Sequence, residues 1–230
     1  MKKYDYLEAI LSQKRMQRYL LSCANDKTKA AKLYTLNIRL SQQILAVINM
    51  FEVSLRNAID RKMTLVSGQD WLRSLSLVGG VFDNRQCEKT RLTIKKDLDE
   101  LIRHSTYTPS NLLSQTKFGV WKYMFMSPHY NATGRCLLDI FSHRPSSTPT
   151  IQYNNMFVYH CLDRVNKVRN RVAHHDPICF FPRMSQIDTQ MVRQCYSDIV
   201  MLLTWLNIDN VRLLSGLDSV LKVCDKIDAL

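Results

Sequence analysis

Between Arg169 and Pro177 the chain reads Arg-Asn-Arg-Val-Ala-His-His-Asp-Pro. An arginine guanidinium is a planar cationic fork suited to phosphate oxygens, and histidine is the side chain that gives and takes a proton near neutral pH. On one surface, Arg169 with His174 or His175 would suit in-line cleavage of a phosphodiester. Spacing alone proves nothing, because a chain with 17 arginines and 6 histidines supplies about one such pair by chance. No His-x-x-x-His or Cys-x-x-Cys occurs, so the sequence points to no metal and to no cofactor.

These residues need a helix to carry them. Cys161, Leu162, Val165, Val168 and Val172 recur at steps of three and four, which predicts a helix over 151–175. Pro177 disfavours helical backbone at Asp176, so the helix is expected to end at about the histidines. Arg169 borders the apolar stripe, which would hold its guanidinium rather than leave it in solvent. On an ideal helix both histidines stand more than about 90° from Arg169, with His175 nearer the Val168–Val172 face. A helix that is ending fixes neither, and the choice of acid or base stays open between them.

Three further stretches occur in a characteristic order with the motif. Phe51 to Ile59 contains Glu52-Val53-Ser54-Leu55-Arg56-Asn57, followed by Gly68-Gln69-Asp70-Trp71 and by Leu113 to Trp121 with Phe118-Gly119-Val120-Trp121. As an ordered set over roughly residues 15–182, these resemble the Abi-like abortive-infection proteins of the HEPN superfamily, small all-helical domains of which many are metal-independent RNases. Asp176 stands where that family usually carries Glu. The resemblance implies an all-α, HEPN-like bundle of long helices with peripheral additional helices, forming one domain over residues 1–230. It also implies cleavage of RNA by attack of the ribose 2′-hydroxyl, in phage defence of the abortive-infection or toxin type. His174 would move the proton, Arg169 would neutralise charge building on the phosphorus, and Asn170 would orient the histidine or the phosphate. His175 would support the site or cap the helix, and Glu52, Arg56 and Asn57 would support it from the earlier helix. A two-fold homodimer and an antitoxin or regulatory RNA are the implied partners. The alternative is a catalytically silent helical module that binds RNA or another protein.

Bulk properties agree with this reading. The chain has 230 residues, 46% of them hydrophobic, and only 6 glycines and 6 prolines, which favours long helices in a globular fold. A net charge of +12 favours a polyanionic partner. Seven scattered cysteines form neither a disulfide framework nor a zinc ribbon and suit reduced, buried thiols in a cytoplasmic protein. The amino-terminal stretch lacks the apolar core of a signal peptide, and no run reaches the roughly 18 apolar residues of a membrane span.

Along the chain, helices are expected over residues 5–24, 28–66, 84–104, 112–126, 136–141, 186–206 and 211–228, with a short one at Asp70-Trp71-Leu72. Loops are expected over 74–83, 127–134 and 143–150, and an apolar loop at Ile178 to Pro182. Residues 28–66 contain no glycine or proline and keep Leu33, Leu36, Leu40, Ile44, Val47, Ile48, Phe51, Leu55 and Ile59 in helical register. Glu52, at the edge of that stripe, has Arg56 at i+4 as its local partner. Phe118, Trp121 and Phe125 read as core, leaving Lys117, Lys122 and Arg171 as candidate RNA contacts. Lys14, Arg15 and Arg18 read as a basic face, solvated or otherwise.

Overall fold

Asp26 starts the longest helix of the chain: its carboxylate accepts from the Thr28 and Lys29 N–H groups at 2.8 and 3.0 Å, satisfying two donors that a helix start leaves unpaired. In the computed structural model, which describes residues 2–230, that helix is α3, Lys27–Ser67. Gly68 ends it at φ 81°, a left-handed position that glycine takes without strain. The other helices are α1 (Lys3–Leu11), α2 (Gln13–Ser22), α4 (Trp71–Ser76), α5 (Glu88–Arg103), α6 (Pro109–Gln115), α7 (Phe118–Tyr123) and α8 (Ser127–Ala132). A 3-10 turn at Leu137–Ile140 precedes α9 (Asn155–Ala173), α10 (Gln190–Trp205), α11 (Asn210–Leu213) and α12 (Val220–Asp228). Among the described residues there is no sheet, only an isolated bridge between Phe180 and Ile187. The fold is all-α.

Several predicted boundaries are corrected, each for a local reason. The first helix is two, because Ser12 sits at φ 86° and its hydroxyl caps α2 by accepting from the Arg15 N–H. The aromatic helix expected over 112–126 is broken at Thr116, which is extended (ψ 129°) and turns its hydroxyl back onto the Leu112 carbonyl. Residues 127–134, expected as a loop, contain α8. Pro128 lies in its first turn, where a missing N–H is harmless. The last predicted helix is interrupted at Gly216 (φ 76°), and Asp218 accepts from the Val220 N–H as α12 begins.

The chain was expected to form one domain, and its contacts group it into two compact units. The first comprises residues up to Asn49, Lys167–Ile199 and Val211–Leu230. The second comprises Met50–Asn166 and Val200–Asn210.

In the first unit, Met16 and Tyr19 from α2, Leu33, Leu40, Ile44 and Val47 from α3, Val168 from α9, Phe180, Val192 and Ile227 are all buried. Tyr19 packs on Tyr34 and Phe180, with ring centroids 5.2 and 5.1 Å away. Arg193 of α10 joins α12 through Asp225 and Asp228 at 2.7 and 2.8 Å. These carboxylates push the Arg193 pKa up.

The second unit buries Phe51, Leu55 and Ile59 with Trp71, Phe82, Leu98, Phe118, Trp121 and Phe125. The core assignment of Phe118, Trp121 and Phe125 holds. Trp71 donates its indole N–H to Asp60 at 2.8 Å, and Trp205 packs against Phe141, Tyr153 and Phe157. His129 is buried there against Phe82, its Nε2 2.8 Å from the Thr90 hydroxyl.

All seven cysteines are free and six are buried. Among the described residues, no helix is long and apolar enough to cross a membrane.

Candidate functional site

The motif helix α9 ends at Ala173, one residue before the histidines. The His174 N–H still donates to the Asn170 carbonyl at 2.9 Å, in helical register. His175 then turns left-handed at φ 58°. Its N–H donates to the Val172 carbonyl at 3.0 Å, and the Asp176 N–H to the Arg171 carbonyl at 2.8 Å. This pair of bonds is the Schellman ending of a helix. Glycine usually occupies the left-handed position. Histidine is among the side chains that tolerate it, at a cost of about 1 kcal/mol or somewhat more. The two adjacent histidines, both exposed, therefore have different backbones: His174 continues the helix, whereas His175 is the turn itself.

Three arginines fasten this turn and the loop after it. Arg15 of α2 donates Nη2 to the His175 carbonyl at 2.7 Å. Arg18 donates Nε to the Met184 carbonyl and Nη2 to the Phe181 carbonyl, each at 3.0 Å, with its guanidinium 4.5 Å from the Phe180 ring centroid. Arg171 donates to the Pro177 carbonyl and lies against Met191 Sδ. Burial draws the Arg171 pKa down, and nearby Asp176 acts in the opposite direction. A helix C-terminus carries partial negative charge, so guanidinium groups gathered at these carbonyls offset a field that would repel a phosphate. On α3, the buried Asn37 accepts the Ile178 N–H at 2.9 Å. Cys179 lies fully buried in the same loop, and burial pushes its thiol up to about 12, which keeps it protonated and unreactive.

Arg169 stands apart from these arginines. It is half-buried, and among the described residues no hydrogen bond or ion pair takes up its guanidinium. The side chains of Asn170 and His174 are exposed and likewise have no partner among the described residues. His175, by contrast, lines a cavity of about 590 Å³ together with Val172, Asp176, Arg15, Tyr34 and Asn37. Its polar groups sit among apolar walls that include Ile10, Leu11 and Ile38.

The remaining expected site residues are placed as follows. Arg169, Asn170, Arg171, His174 and His175 belong to the first unit, and Glu52, Arg56 and Asn57 to the second. Within the second unit Glu52 is half-buried, Asn57 is exposed, and Arg56 directs Nη1 at the Ser114 carbonyl, 3.5 Å away. Lys117 is exposed just ahead of α7. Lys122 is corrected: its ammonium is buried, paired with Asp163 at 2.9 Å and set over the Tyr123 and Tyr159 rings. It is a structural cation and presents nothing to a ligand. Arg171 is occupied with the Pro177 carbonyl, and the face expected from Lys14, Arg15 and Arg18 is, for the two arginines, a clamp on the motif loop.

Sequence reasoning missed Asn37, Tyr34 and the task of Arg15 and Arg18. Asn37 carried a usable signal, since it lies four residues after Leu33 within an apolar stripe, and a polar group there needs a partner. The carbonyls that Arg15 and Arg18 serve lie on a loop far along the chain, which no local pattern announces. Among the described residues, no group of three or more His, Cys, Asp or Glu side chains is placed to hold a metal ion.

Comparison with known proteins agrees with the motif strings. The model of the family described as Abi-like protein matches residues 4–179. No curated protein and no solved structure matches the chain. The family match covers most of the sequence, including the whole of α9 and the turn after it, and the chain belongs to the Abi-like protein family.

Proposed function

We propose that the protein is a metal-independent RNA endonuclease of the HEPN type, acting in abortive infection or as a toxin. The observation that carries this reading is the unequal use of the arginines. Arg15, Arg18 and Arg171 are committed to backbone carbonyls, while the half-buried Arg169 guanidinium is open beside an exposed helix end. A half-buried guanidinium without a protein partner is a preorganised site for a phosphate. His174, exposed and unpartnered, takes the proton from the 2′-hydroxyl or returns one to the leaving 5′-oxygen. Asn170 is available to hold a phosphoryl oxygen. His175, held by its carbonyl at the rim of the cavity, supports the turn. The products are a 2′,3′-cyclic phosphate and a 5′-hydroxyl, and DNA, which lacks the nucleophile, is resistant.

One such motif supplies one cation, and of its two exposed histidines this reading gives only His174 the proton-transfer role, whereas transesterification benefits from a base and an acid on opposite sides of the phosphorus. A two-fold dimer doubles the motif, and the working unit is a homodimer in this reading. The deciding experiment is incubation of the purified protein with single-stranded RNA in excess EDTA, with analysis of the product ends. Cleavage to cyclic phosphate ends, lost in Arg169→Ala and in His174→Ala while far-UV circular dichroism is unchanged, is the expected outcome. Salt-sensitive binding without any cleavage would instead identify a non-catalytic RNA-binding module.

A further inference from the structure

A second cavity in the first unit gathers four of that unit's unpaired cations. It encloses about 930 Å³ between the start of α1, the first three turns of α3 and the end of α12, at the upper end of the roughly 300–1,000 Å³ of ligand sites. Lys2, Lys3, Lys27, Lys32, Arg39 and Lys226 line it, and no carboxylate side chain does. Two of these cations are engaged: Lys27 pairs with Asp5 at 2.7 Å, and Lys3 donates to the Thr35 hydroxyl at 3.1 Å. Lys2, Lys32, Arg39 and Lys226 are exposed and unpaired among the described residues. Like charges gathered without counter-ions repel one another, and the arrangement favours a polyanion that neutralises them.

We infer that this groove holds consecutive phosphates of a single-stranded RNA, away from the Arg169 motif. Its chemistry separates a strand from a free nucleotide. A nucleoside triphosphate is usually held with Mg²⁺ on one or two carboxylates, and no carboxylate side chain lines the groove. Five of its six cations are lysines, mobile point charges that suit sequence-independent contact with a backbone. Its floor is apolar, with Ala31 and Leu36 lying beneath the ammonium groups.

The groove and the cavity beside the motif share α3. Lys32, Thr35, Leu36 and Arg39 form one stripe of α3, while Tyr34, Asn37, Ile38 and Ser41, on roughly the opposite face of the same stretch, line the cavity that His175 borders. A strand laid on the lysines thus lies across α3 from the cavity that His175 borders, on a surface of its own. The inference rests on RNA being the ligand but not on its being cleaved.

The test is anisotropy of a labelled 2′-O-methyl RNA oligomer, which cannot undergo transesterification, binding to the full chain. Lys32→Glu with Arg39→Glu should weaken binding roughly tenfold or more, and the slope of log affinity against log salt should fall by about 1.4, two contacts at about 0.7 each. The milder pair Lys32→Gln and Arg39→Gln reports the same loss should the reversals unfold the chain. Lys89→Glu with Lys96→Glu makes the same charge change at the same seven-residue spacing on α5, and should bind like wild type. Equal losses in both double variants, or no loss at the groove, would overturn the proposal. Displacement of the RNA by low-micromolar ATP would overturn it in favour of a free nucleotide. The outcomes also separate this inference from the catalytic reading. Binding lost at the groove with no cleavage by wild type sinks the nuclease alone, whereas cleavage with an indifferent groove sinks the groove alone.

Discussion

The Arg15 guanidinium, from the second helix of the chain, holds the backbone carbonyl of His175 at 2.7 Å, and His175 is the left-handed residue on which the motif turn is built. The bond reaches a carbonyl and leaves both histidine rings untouched, so it positions the turn without entering the chemistry. Arg15→Ala is expected to lower stability by about 1–2 kcal/mol, the usual worth of a charge-assisted hydrogen bond at a partly exposed site. Cleavage should fall several-fold in kcat with little change in its pH profile. Urea denaturation beside initial rates measures both, and a variant with native rate and native midpoint would remove Arg15 from the site's support.

His175→Gly separates turn from chemistry. Glycine takes φ 58° freely, so the variant should gain up to about 1 kcal/mol. His175→Val, branched at Cβ, should lose at least as much. Cleavage should survive His175→Gly and vanish in His174→Ala. The reverse order of activities would transfer the proton-moving role to His175.

Lys122 answers to stability rather than to RNA. Its side chain is 7% exposed and that of its partner Asp163 is 23%. Truncating Lys122 removes the cation of a largely buried ion pair, at a cost of about 3 kcal/mol. Lys122→Ala should therefore unfold at markedly lower urea while the folded protein binds RNA with wild-type affinity. A folded Lys122→Ala with weakened RNA binding would restore this lysine to the binding surface.

His129 makes the second unit sensitive to acid. Burial lowers its pKa to about 4, against about 6.5 in an unfolded chain. Above pH 6.5 neither state binds the proton and the histidine is neutral in its effect on folding. As pH falls from 6.5 towards 4, the unfolded chain takes up a proton that the folded chain refuses, and up to about 3 kcal/mol of stability is lost. His129→Gln should remove that part of the slope. Urea midpoints at pH 7 and pH 4.5 for the two proteins provide the comparison, and parallel losses would rule the histidine out.

Much of the architecture could be read directly. The apolar register from Leu33 to Ile59 and the absence of glycine and proline marked α3 to within a residue at each end, and Pro177 marked the end of α9. Left-handed Ser12 and extended Thr116 were not legible, because a hydroxyl residue that breaks a helix looks, in sequence, like one that the helix carries through. The site divides in the same way. Arg169 and His174 were visible as residue types in a recognisable string, whereas the clamp by Arg15, Arg18 and Asn37 joins segments more than a hundred residues apart. Lys122 failed as a candidate because a charge in a sequence does not say whether a carboxylate waits for it in the interior.

The composition of the first unit bears on when activity can arise. Its segments come from the start of the chain, from Lys167–Ile199 and from Val211–Leu230, and α12 is tied in through Asp225 and Asp228 to Arg193 and through Asp228 to Thr189. Ribosomes extend a chain by about 5–20 residues per second, and every residue of the second unit, which ends at Asn210, is translated before α12. A nascent chain bearing Arg169 and His174 still lacks the helix that completes the unit around them. On the proposed reading as an RNA-cleaving enzyme, this order of assembly would delay cleavage until residues 211–230 are made and would protect the messenger on which the chain is being translated.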